Sequence, residues 1–354
     1  MKNTIKLLAI IAIVAVIGFS MAACGDGGGG SGGGGGSGGG GSSTMTWTAV
    51  TDSTFGTGSI KAIAYGNNMF VAVGSDDYIG SNGKMATSTN GITWTAVTGS
   101  TFGTKSINAI VYGNGKFVAG DKNGIIAYST NGTTWTTVDV SLGTRPISAI
   151  AYGNNMFVAG NDSGKMATSM DGTTWTAVTD SKFGSDSINA IAYSNGTFVA
   201  GGSFGKTATS TDGTTWTAGA SDIFSNYYSI NAIAYGNNKF VAGGQRGKMA
   251  TSTNGTTWTA VTNNTFYNST FPNADNPIMA IAFGGGKFVA GGRVGSNGKM
   301  ATSTNGTTWT TVTDSTFTYD STLGTDENIF AIAYGNGTFV AGGTSGKMAY
   351  STGN

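Results

Sequence analysis

A unit of about forty residues repeats along the chain from residue 46 onward, and it limits the possible folds more than any other feature of the sequence. A Tyr or Phe ends an Ala-Ile segment in every unit, at Tyr65, Tyr112, Tyr152, Tyr193, Tyr235, Phe283 and Tyr334. All seven tryptophans share one position of the unit: Trp47, Trp94, Trp135, Trp175, Trp216, Trp258 and Trp309. Such a period indicates either an open solenoid or a closed ring of small units.

Each unit reads as four short β-strands. In residues 229–261, strand A is Ile-Asn-Ala-Ile-Ala-Tyr, strand B Lys-Phe-Val-Ala-Gly, strand C Lys-Met-Ala-Thr-Ser and strand D Thr-Trp-Thr-Ala-Val. The A–B junctions are mostly Gly-Asn-Gly or Gly-Asn-Asn, and the C–D junctions contain Asn-Gly or Asp-Gly, which is typical of tight hairpins. No segment after residue 24 has capped helical periodicity. The pattern predicts an all-β fold, a seven-bladed β-propeller of four-stranded blades.

The two ends of the repeat complement each other. The last unit stops before its strand D, whereas the first unit begins with a lone strand D in residues 46–50. Pairing them would complete the seventh blade and remove two open sheet edges. We therefore expect a propeller domain over residues 45–354, with the last blade closed by the N-terminal strand (residues 46–50).

The N-terminal region has the features of an export signal. Residues 1–23 read as a signal peptide, because Lys2 and Lys6 precede a short apolar run and small residues. Met21-Ala22-Ala23-Cys24 resembles the lipobox of bacterial lipoproteins, which implies that Cys24 becomes a lipidated N-terminus carrying palmitate. Residues 24–44 comprise this Cys and a Gly/Ser-rich flexible tether. We expect an exported lipoprotein of the cell membrane or outer membrane, periplasmic or surface-exposed.

Composition excludes several kinds of site. The chain has no His and only one Cys, so it lacks a Ser-His-Asp triad, a Cys/His zinc site and an internal disulfide. Without Lys2 and Lys6, 16 basic residues face 17 acidic ones, which leaves no electrostatic footprint for nucleic acid. We expect no cofactor, no metal, no nucleic-acid partner and a monomer.

The C–D junction carries the clearest family resemblance. Ser-Thr-Asn-Gly-Thr-Thr-Trp and its variants resemble the Asp-box of sialidase-like propellers, although they are one residue shorter. This family includes sialidases, xyloglucan hydrolases, sortilin-like receptors and the photosystem II assembly factor, so the resemblance implies a fold rather than one function. Seven equivalent Trp side chains favour packing between blades over carbohydrate stacking. Six copies begin at Ser88, Ser129, Ser169, Ser210, Ser252 and Ser303.

The repeats differ mainly in their B–C and D–A connections, which share one face of a propeller. We call it the variable-loop face. Diverse loops on a rigid scaffold are where binding usually takes place, although neutral drift would also diversify them. The D–A loops in residues 263–277 and 313–328 are long and carry Phe266, Tyr267, Phe271 and Tyr319. The candidate ligand-binding residues are Asp76, Asp77, Tyr78, Asp121, Lys122, Asp162, Phe204, Gln245, Arg246 and Arg293.

Three functions fit these features. The first is a lipid-anchored, non-catalytic interaction module that binds a protein or glycan through the variable-loop face. The second is a sialidase-like glycoside hydrolase, since Arg145, Arg246 and Arg293 all fall in variable loops. That enzyme would also need a Tyr–Glu pair, and Glu327 is the only Glu in the chain. The third is an envelope assembly factor. We favour the first and expect no enzymatic activity.

Overall fold

The computed structural model describes residues 45–352, except 78–81, 141, 220–223, 225, 226, 263, 268–274, 314, 315, 320, 322 and 323. These residues form seven four-stranded antiparallel sheets, six of which consist of four consecutive strands. The predicted all-β, seven-bladed propeller is therefore confirmed. The predicted signal peptide, Cys24 and the whole of the tether lie outside the described residues.

The strands follow the order predicted from the repeat. Blades 1 to 3 contain β2 (Ile60–Gly66), β3 (Met69–Ser75), β4 (Gly83–Ser88) and β5 (Thr95–Ala96); β6 (Ile107–Gly113), β7 (Lys116–Asp121), β8 (Ile126–Ser129) and β9 (Thr136–Val138); β10 (Ile147–Gly153), β11 (Met156–Asn161), β12 (Met166–Ser169) and β13 (Thr176–Ala177). Blades 4 to 6 contain β14 (Ile188–Ser194), β15 (Thr197–Gly202), β16 (Thr207–Ser210) and β17 (Thr217–Ala218); β18 (Ile230–Gly236), β19 (Lys239–Gly244), β20 (Met249–Ser252) and β21 (Thr259–Ala260); β22 (Ile278–Gly284), β23 (Lys287–Val294), β24 (Asn297–Ser303) and β25 (Thr310–Thr311).

The seventh blade joins the two ends of the described chain. It consists of β26 (Ile329–Gly335), β27 (Thr338–Gly343), β28 (Met348–Thr352) and β1 (Thr48–Ala49), with β1 antiparallel to β28. Thr48 lies opposite Tyr350, and the amide of Val50 donates to the carbonyl of Met348 at 2.9 Å. The closure predicted from the repeat is confirmed. β1 is shorter than residues 46–50 because Trp47 turns its side chain into the core.

The core is divided into seven apolar clusters, one at each contact between neighbouring blades. Between blades 7 and 1, Trp94 and Phe70 pack with Val340 and Met348. The indole N–H of Trp94 also donates to the carbonyl of Gly91 at 3.2 Å, which satisfies its polar atom inside the core. The Trp residues therefore pack between blades, as expected from their seven equivalent positions.

The D–A connections contain a repeated anchor that the sequence reading treated as variable. Phe266, which we expected among the variable-loop residues, is buried, and its amide donates to Asn264 Oδ1 at 3.0 Å. Its apolar side chain is needed between blades, so only the residues after the anchor are free to vary. The equivalent buried residues are Phe55, Phe102, Leu142, Phe183, Phe224, Phe266 and Phe317.

The A–B and C–D turns touch each other across blades, which explains why they hardly vary. The side-chain Nδ2 of Asn114, in the A–B turn of blade 2, donates to the carbonyl of Met170 in blade 3 at 3.3 Å. Asn237 in blade 5 makes the same bond to the carbonyl of Thr304 in blade 6 at 2.6 Å. Substitution in one turn would therefore disturb the next blade. We call this side the constant-turn face.

Neighbouring blades also meet near the axis of the ring, through the aromatic residue at the last but one position of each strand A. Each of these rings lies against the last residue of strand A in the preceding blade. A Cβ added to Gly66 would lie 2.0 Å from Tyr112 Cγ, and one added to Gly335 would lie 2.1 Å from Tyr65 Cγ. Six of the seven blades have glycine at this position, where the ring of the next blade occupies the space of a side chain, and blade 4 has Ser194. The second contact joins blade 7 to blade 1.

Candidate functional site

The B–C and D–A connections emerge together on the variable-loop face, because both lie at the same end of an antiparallel blade. In blades 2 and 3 the B–C loops are turns organised by one buried polar side chain. Asp121 is fully buried, and its Oδ1 accepts from the amides of Asn123 and Ile125, both at 2.8 Å. Burial raises the pKa of Asp121 above its ordinary value. Asp121 therefore lies beneath its loop and is not exposed on the variable-loop face.

Blades 4, 5 and 7 have a second kind of B–C loop, a short 3-10 turn: Ser203–Gly205, Gln245–Gly247 and Thr344–Gly346. Its middle residue has a left-handed backbone, with φ of 57° at Phe204, 55° at Arg246 and 55° at Ser345. This conformation favours glycine, and bulky side chains rarely adopt it. Two bulky candidate residues are nevertheless held there. Gln245 is half-buried, and its Oε1 accepts from the amide of Ser229 at 2.9 Å.

Blade 1 has a longer B–C loop, whereas in blade 6 the extra residues lengthen strands β23 and β24, which leaves a two-residue turn and places Arg293 in β23. Asp76 is half-buried and accepts from the side-chain amide of Asn82 at 2.9 Å. Asp77 lies beside it, while Tyr78 falls outside the described residues. Arg293 lies between two carboxylates, with Nη1 donating to Asp326 and Nη2 at 3.7 Å from Asp275 Oδ2. This arginine is fixed by its neighbours rather than directed to an open site.

Exposed aromatic side chains concentrate on one half of the variable-loop face, in the loops of blades 4 to 7. Tyr227 is 80% exposed and Phe204 50%, while Tyr267 and Tyr319 are each 43% exposed. A groove of about 320 Å³ opens beside Tyr319 and is lined by Val294, Asn297, Lys299 and Thr318, among others. We call Phe204, Tyr227, Tyr267 and Tyr319 the aromatic arc.

Three of the remaining charged candidates, Arg246, Arg145 and Asp162, are held by local partners, whereas Lys122 is exposed in the B–C loop of blade 2. Arg246 donates to the Tyr228 hydroxyl at 2.6 Å, and its guanidinium lies 4.6 Å from the centre of that ring. Arg145 Nε lies 3.0 Å from Asp162 Oδ1. The stacked guanidinium in blade 5 lies between the loops that carry Phe204, Tyr227 and Tyr267, so it adds positive charge to the aromatic arc.

The residues needed for a sialidase-like mechanism are not brought together. Glu327 is fully buried; its Oε1 lies 2.9 Å from Lys347 Nζ, and its Oε2 accepts from the Thr344 hydroxyl at 2.9 Å. The three arginines lie in different parts of the ring. Arg145 contacts Asp162, Arg246 contacts Tyr228, and Arg293 contacts Asp326. Within the described part of the chain, no three His, Cys, Asp or Glu side chains are grouped to hold a metal ion.

A second group of residues on this face was missed by the sequence reading. The second residue of every strand A lies in a β-bulge, because the register with strand B shifts there in all seven blades. Strand A is innermost, so these positions surround the axis at the variable-loop face. We call them the axial mouth: Lys61, Asn108, Ser148, Asn189, Asn231, Met279 and Phe330.

Contacts between successive blades show that the axial mouth is continuous. Lys61 Nζ lies 3.8 Å from the ring centre of Phe330, and Asn231 Nδ2 lies 3.7 Å from Met279 Sδ. The side chain of Asn189 donates to the carbonyl of Ile230 in the next blade at 3.0 Å. The sequence does contain a signal for this group. It is the one position of strand A that varies widely while its neighbours hardly change.

Comparison with solved structures shows the fold. The chain is similar to the structure described as YCF48 bound to D1 peptide, with a TM-score of 0.63, 15% identity, and coverage of 88% of this chain and 100% of that one. It is also similar to YCF48 from Cyanidioschyzon merolae, with a TM-score of 0.61, 17% identity, and coverage of 87% of this chain and 98% of that one. The WD40 propeller domain of Doa1 has a TM-score of 0.63 and 11% identity, with coverage of 88% of this chain and 98% of that one.

No protein-family model and no curated protein sequence matches this chain. At these identities the structural likeness concerns the propeller alone. In the described part of the chain, no helix has the length and apolar character needed to cross a bilayer.

Proposed function

We propose that this propeller is a non-catalytic protein-interaction module that holds a segment of a partner protein on its variable-loop face. The aromatic arc is the observation that carries the proposal. Its four side chains lie within the loops of blades 4 to 7, and Tyr227 leaves four-fifths of its surface in water. Aromatic residues and arginine contribute most of the binding energy at protein interfaces, so this half of the face has the composition of a recognition surface.

The backbone beneath the arc supports the same conclusion. Phe204 and Arg246 occupy left-handed positions that a glycine would fill with less strain. Strained residues persist where the surrounding structure holds them, and they cluster at functional sites. Because Phe204 is half exposed and Arg246 stacks on Tyr228, neither is explained by burial in the core. A role in contacting a partner accounts for both.

The structural neighbours support a protein rather than a glycan as the partner. One YCF48 structure is described as bound to D1 peptide, and another similar propeller is the WD40 domain of Doa1. A hydrolase function has less support here, because the carboxylate of Glu327 is buried and already paired. An envelope assembly factor would be one form of the same interaction module.

The experiment selects peptides and then asks which face they need. A displayed peptide library is enriched on the full chain, and the selected peptides are measured against the double variant Phe204→Ser, Tyr227→Ser. We expect affinity to fall about tenfold or more, as for loss of interface anchors. Met170→Ser is the matched control, since Met170 is 72% exposed on the constant-turn face. Equal affinities of both variants, or selection of glycans but no peptides on parallel arrays, would refute the proposal.

We also propose that the protein is exported and anchored through a lipid on Cys24, which would display the module at a cell membrane or outer membrane. The support is the lipobox-like sequence at Met21–Cys24 and the Gly/Ser-rich segment that follows it. Cys24→Ala should move the protein from the membrane fraction to the soluble fraction and abolish labelling by palmitate. Retained palmitate in that variant would show that the anchor lies elsewhere.

A further inference from the structure

The axial mouth contains a lysine without an acidic partner. Lys61 is partly buried, and its ammonium lies over the Phe330 ring. Among the described residues, none of the six ion pairs includes Lys61 or Lys122. Burial lowers the pKa of Lys61 to about 8, and the positive charge of Lys122 contributes to the same shift. Lys122 is exposed in the B–C loop of the neighbouring blade 2, where its backbone amide donates to the carbonyl of Ser106 at 3.0 Å, two residues before Asn108 of the mouth. A second positive charge therefore lies beside the mouth.

Such an arrangement is unfavourable for the protein alone. A partly desolvated ammonium loses hydration, and a hydrogen-bonded anion would offset that loss and also neutralise the charge. Its neighbour Lys122 opposes it further, since like charges disfavour each other's charged state. A carboxylate placed at the mouth would relieve both effects at once. Because binding an anion would remove this unfavourable free energy, the relief would add to the affinity for the anion.

The other residues of the mouth fit a carboxylate carried on a short aliphatic side chain. Asn108 and Ser148 follow Lys61 around the ring and are buried neutral polar residues, so they add no negative charge that would compete with a bound carboxylate. Phe330 and Met279, on the opposite side of Lys61, offer an apolar wall.

We propose that the axial mouth is an anion site in which Lys61 and Lys122 receive an Asp or Glu side chain of the partner peptide. This inference rests on the proposed function, because it assigns a chemical class to the segment bound on the same face. The aromatic arc would hold flanking residues, and the axial lysines would select for an acidic one. Salt should weaken this contact more than it weakens contacts to the arc.

The test uses the full chain and a fluorescently labelled peptide of alternating Ser and Glu, with a Ser-Gln peptide of equal length as its neutral counterpart. We expect the acidic peptide to bind and the neutral one to bind at least about tenfold more weakly. Lys61→Gln should reduce affinity for the acidic peptide about tenfold, whereas Lys61→Arg should retain most of it. The matched control is Lys165→Gln, since Lys165 is exposed on the B–C loop of blade 3 and carries the same charge.

Two outcomes would overturn the inference: equal binding of the acidic and neutral peptides, or equal effects of Lys61→Gln and Lys165→Gln. Its failure is distinguishable from failure of the proposed function. If selected peptides need Phe204 and Tyr227 but not Lys61, the interaction face stands and the axial site is wrong. If the Ser-Glu peptide needs Lys61 while the Phe204→Ser, Tyr227→Ser variant binds selected peptides unchanged, the axial site stands and the role of the aromatic arc is wrong.

Discussion

At the scale of single residues, the molecule separates side chains that build the ring from side chains that the ring presents. Asp121 and Glu327 are both acidic and both near variable loops, yet both are buried. Asp121 is bonded to its own loop, and Glu327 to the B–C connection of blade 7. Lys61 and Phe204 show the opposite behaviour, because each keeps an unfavourable feature that stability alone does not require. These unfavourable features are what identify the candidate site.

The cost of Lys61 is measurable as a pH-dependent stability. Its pKa falls to about 8 in the folded protein, from 10.5, so the unfolded chain binds the proton more tightly. Stability is therefore reduced below pH 8 and recovers as pH rises from 8 towards 10.5. We expect Lys61→Met to raise the melting temperature at pH 7 and to lose this advantage above about pH 10.5. A lower melting temperature of Lys61→Met at pH 7 would contradict this reading.

The cost of Phe204 is conformational. Phe204→Gly removes the left-handed strain but adds entropy to the unfolded chain, so the free energy of unfolding should stay within about 1 kcal/mol. Binding of the selected peptides should nevertheless fall, because an exposed aromatic anchor is lost. Denaturant unfolding and peptide titration of the same preparation measure the two effects. A large loss of stability with unchanged binding would make Phe204 a structural residue.

At the scale of elements, the Ser-x-Asn/Asp-Gly turn does the same work in each of six blades. In one turn, the hydroxyl of Ser129 accepts from the amide of Gly132 at 2.8 Å. Asn131 Oδ1 accepts from the amides of Thr133 and Thr134 at 3.0 and 2.9 Å. An Asp at the Asn position makes the same bonds with a charged oxygen. The chain therefore offers its own comparison of neutral and charged turns.

The charged turns should make folding acid-sensitive. Hydrogen bonds from the Thr173 side chain and the amides of Thr174 and Thr173 lower the pKa of Asp171. Bonds from the amides of Thr215 and Thr214 do the same for Asp212. A lowered folded pKa gives stability that is present above about pH 4 and is lost as pH falls below it.

Replacing both aspartates with asparagine should therefore flatten the stability curve below about pH 4 and change little at pH 7. Chemical unfolding across that pH range is the measurement. The reciprocal variant, Asn131→Asp with Asn254→Asp, should make the curve steeper. Identical acid profiles for the three proteins would show that these bonds do not favour the charged form.

How far the sequence predicts the structure also depends on the element. Strands, hairpins and their partners follow from the repeat, because alternation and Asn-Gly turns act locally. Exposure of loop residues does not follow, since Phe266 is buried and Tyr267 is exposed at adjacent positions. The bulge at Lys61 was missed for a related reason. A bulge shifts register without changing composition, so only comparison among the seven units reveals the position.

At the scale of the whole molecule, the ring exists because its ends meet. β1 is a two-residue strand, yet it completes blade 7, and the Tyr65 ring seals the same junction near the axis. Both contacts join residues that are far apart in the chain. Closing such a long loop is entropically costly, so the junction is where the propeller is most sensitive to change.

Deleting residues 45–50 tests this sensitivity. Loss of β1 exposes the edge of β28 and removes Trp47 from the core between blades 6 and 7. We expect a marked fall in melting temperature, since loss of a buried Trp side chain alone costs about 3–5 kcal/mol. Deletion of residues 31–36 is the control of equal length, and it should leave the melting temperature unchanged. Equal melting temperatures for the two deletions would mean that β1 does not close the ring.

The constant-turn face and the variable-loop face thus have different tasks. The turns of the first are nearly identical and join neighbouring blades by hydrogen bonds, whereas the loops of the second differ from blade to blade. The central claim is that recognition takes place on the second face. Amide hydrogen exchange, with and without a selected acidic peptide, tests this claim most directly. We expect slower exchange in residues 59–61, 121–125, 203–206 and 227–230, and unchanged exchange in the A–B and C–D turns. Protection confined to those turns, such as residues 66–69 and 88–94, would contradict the claim.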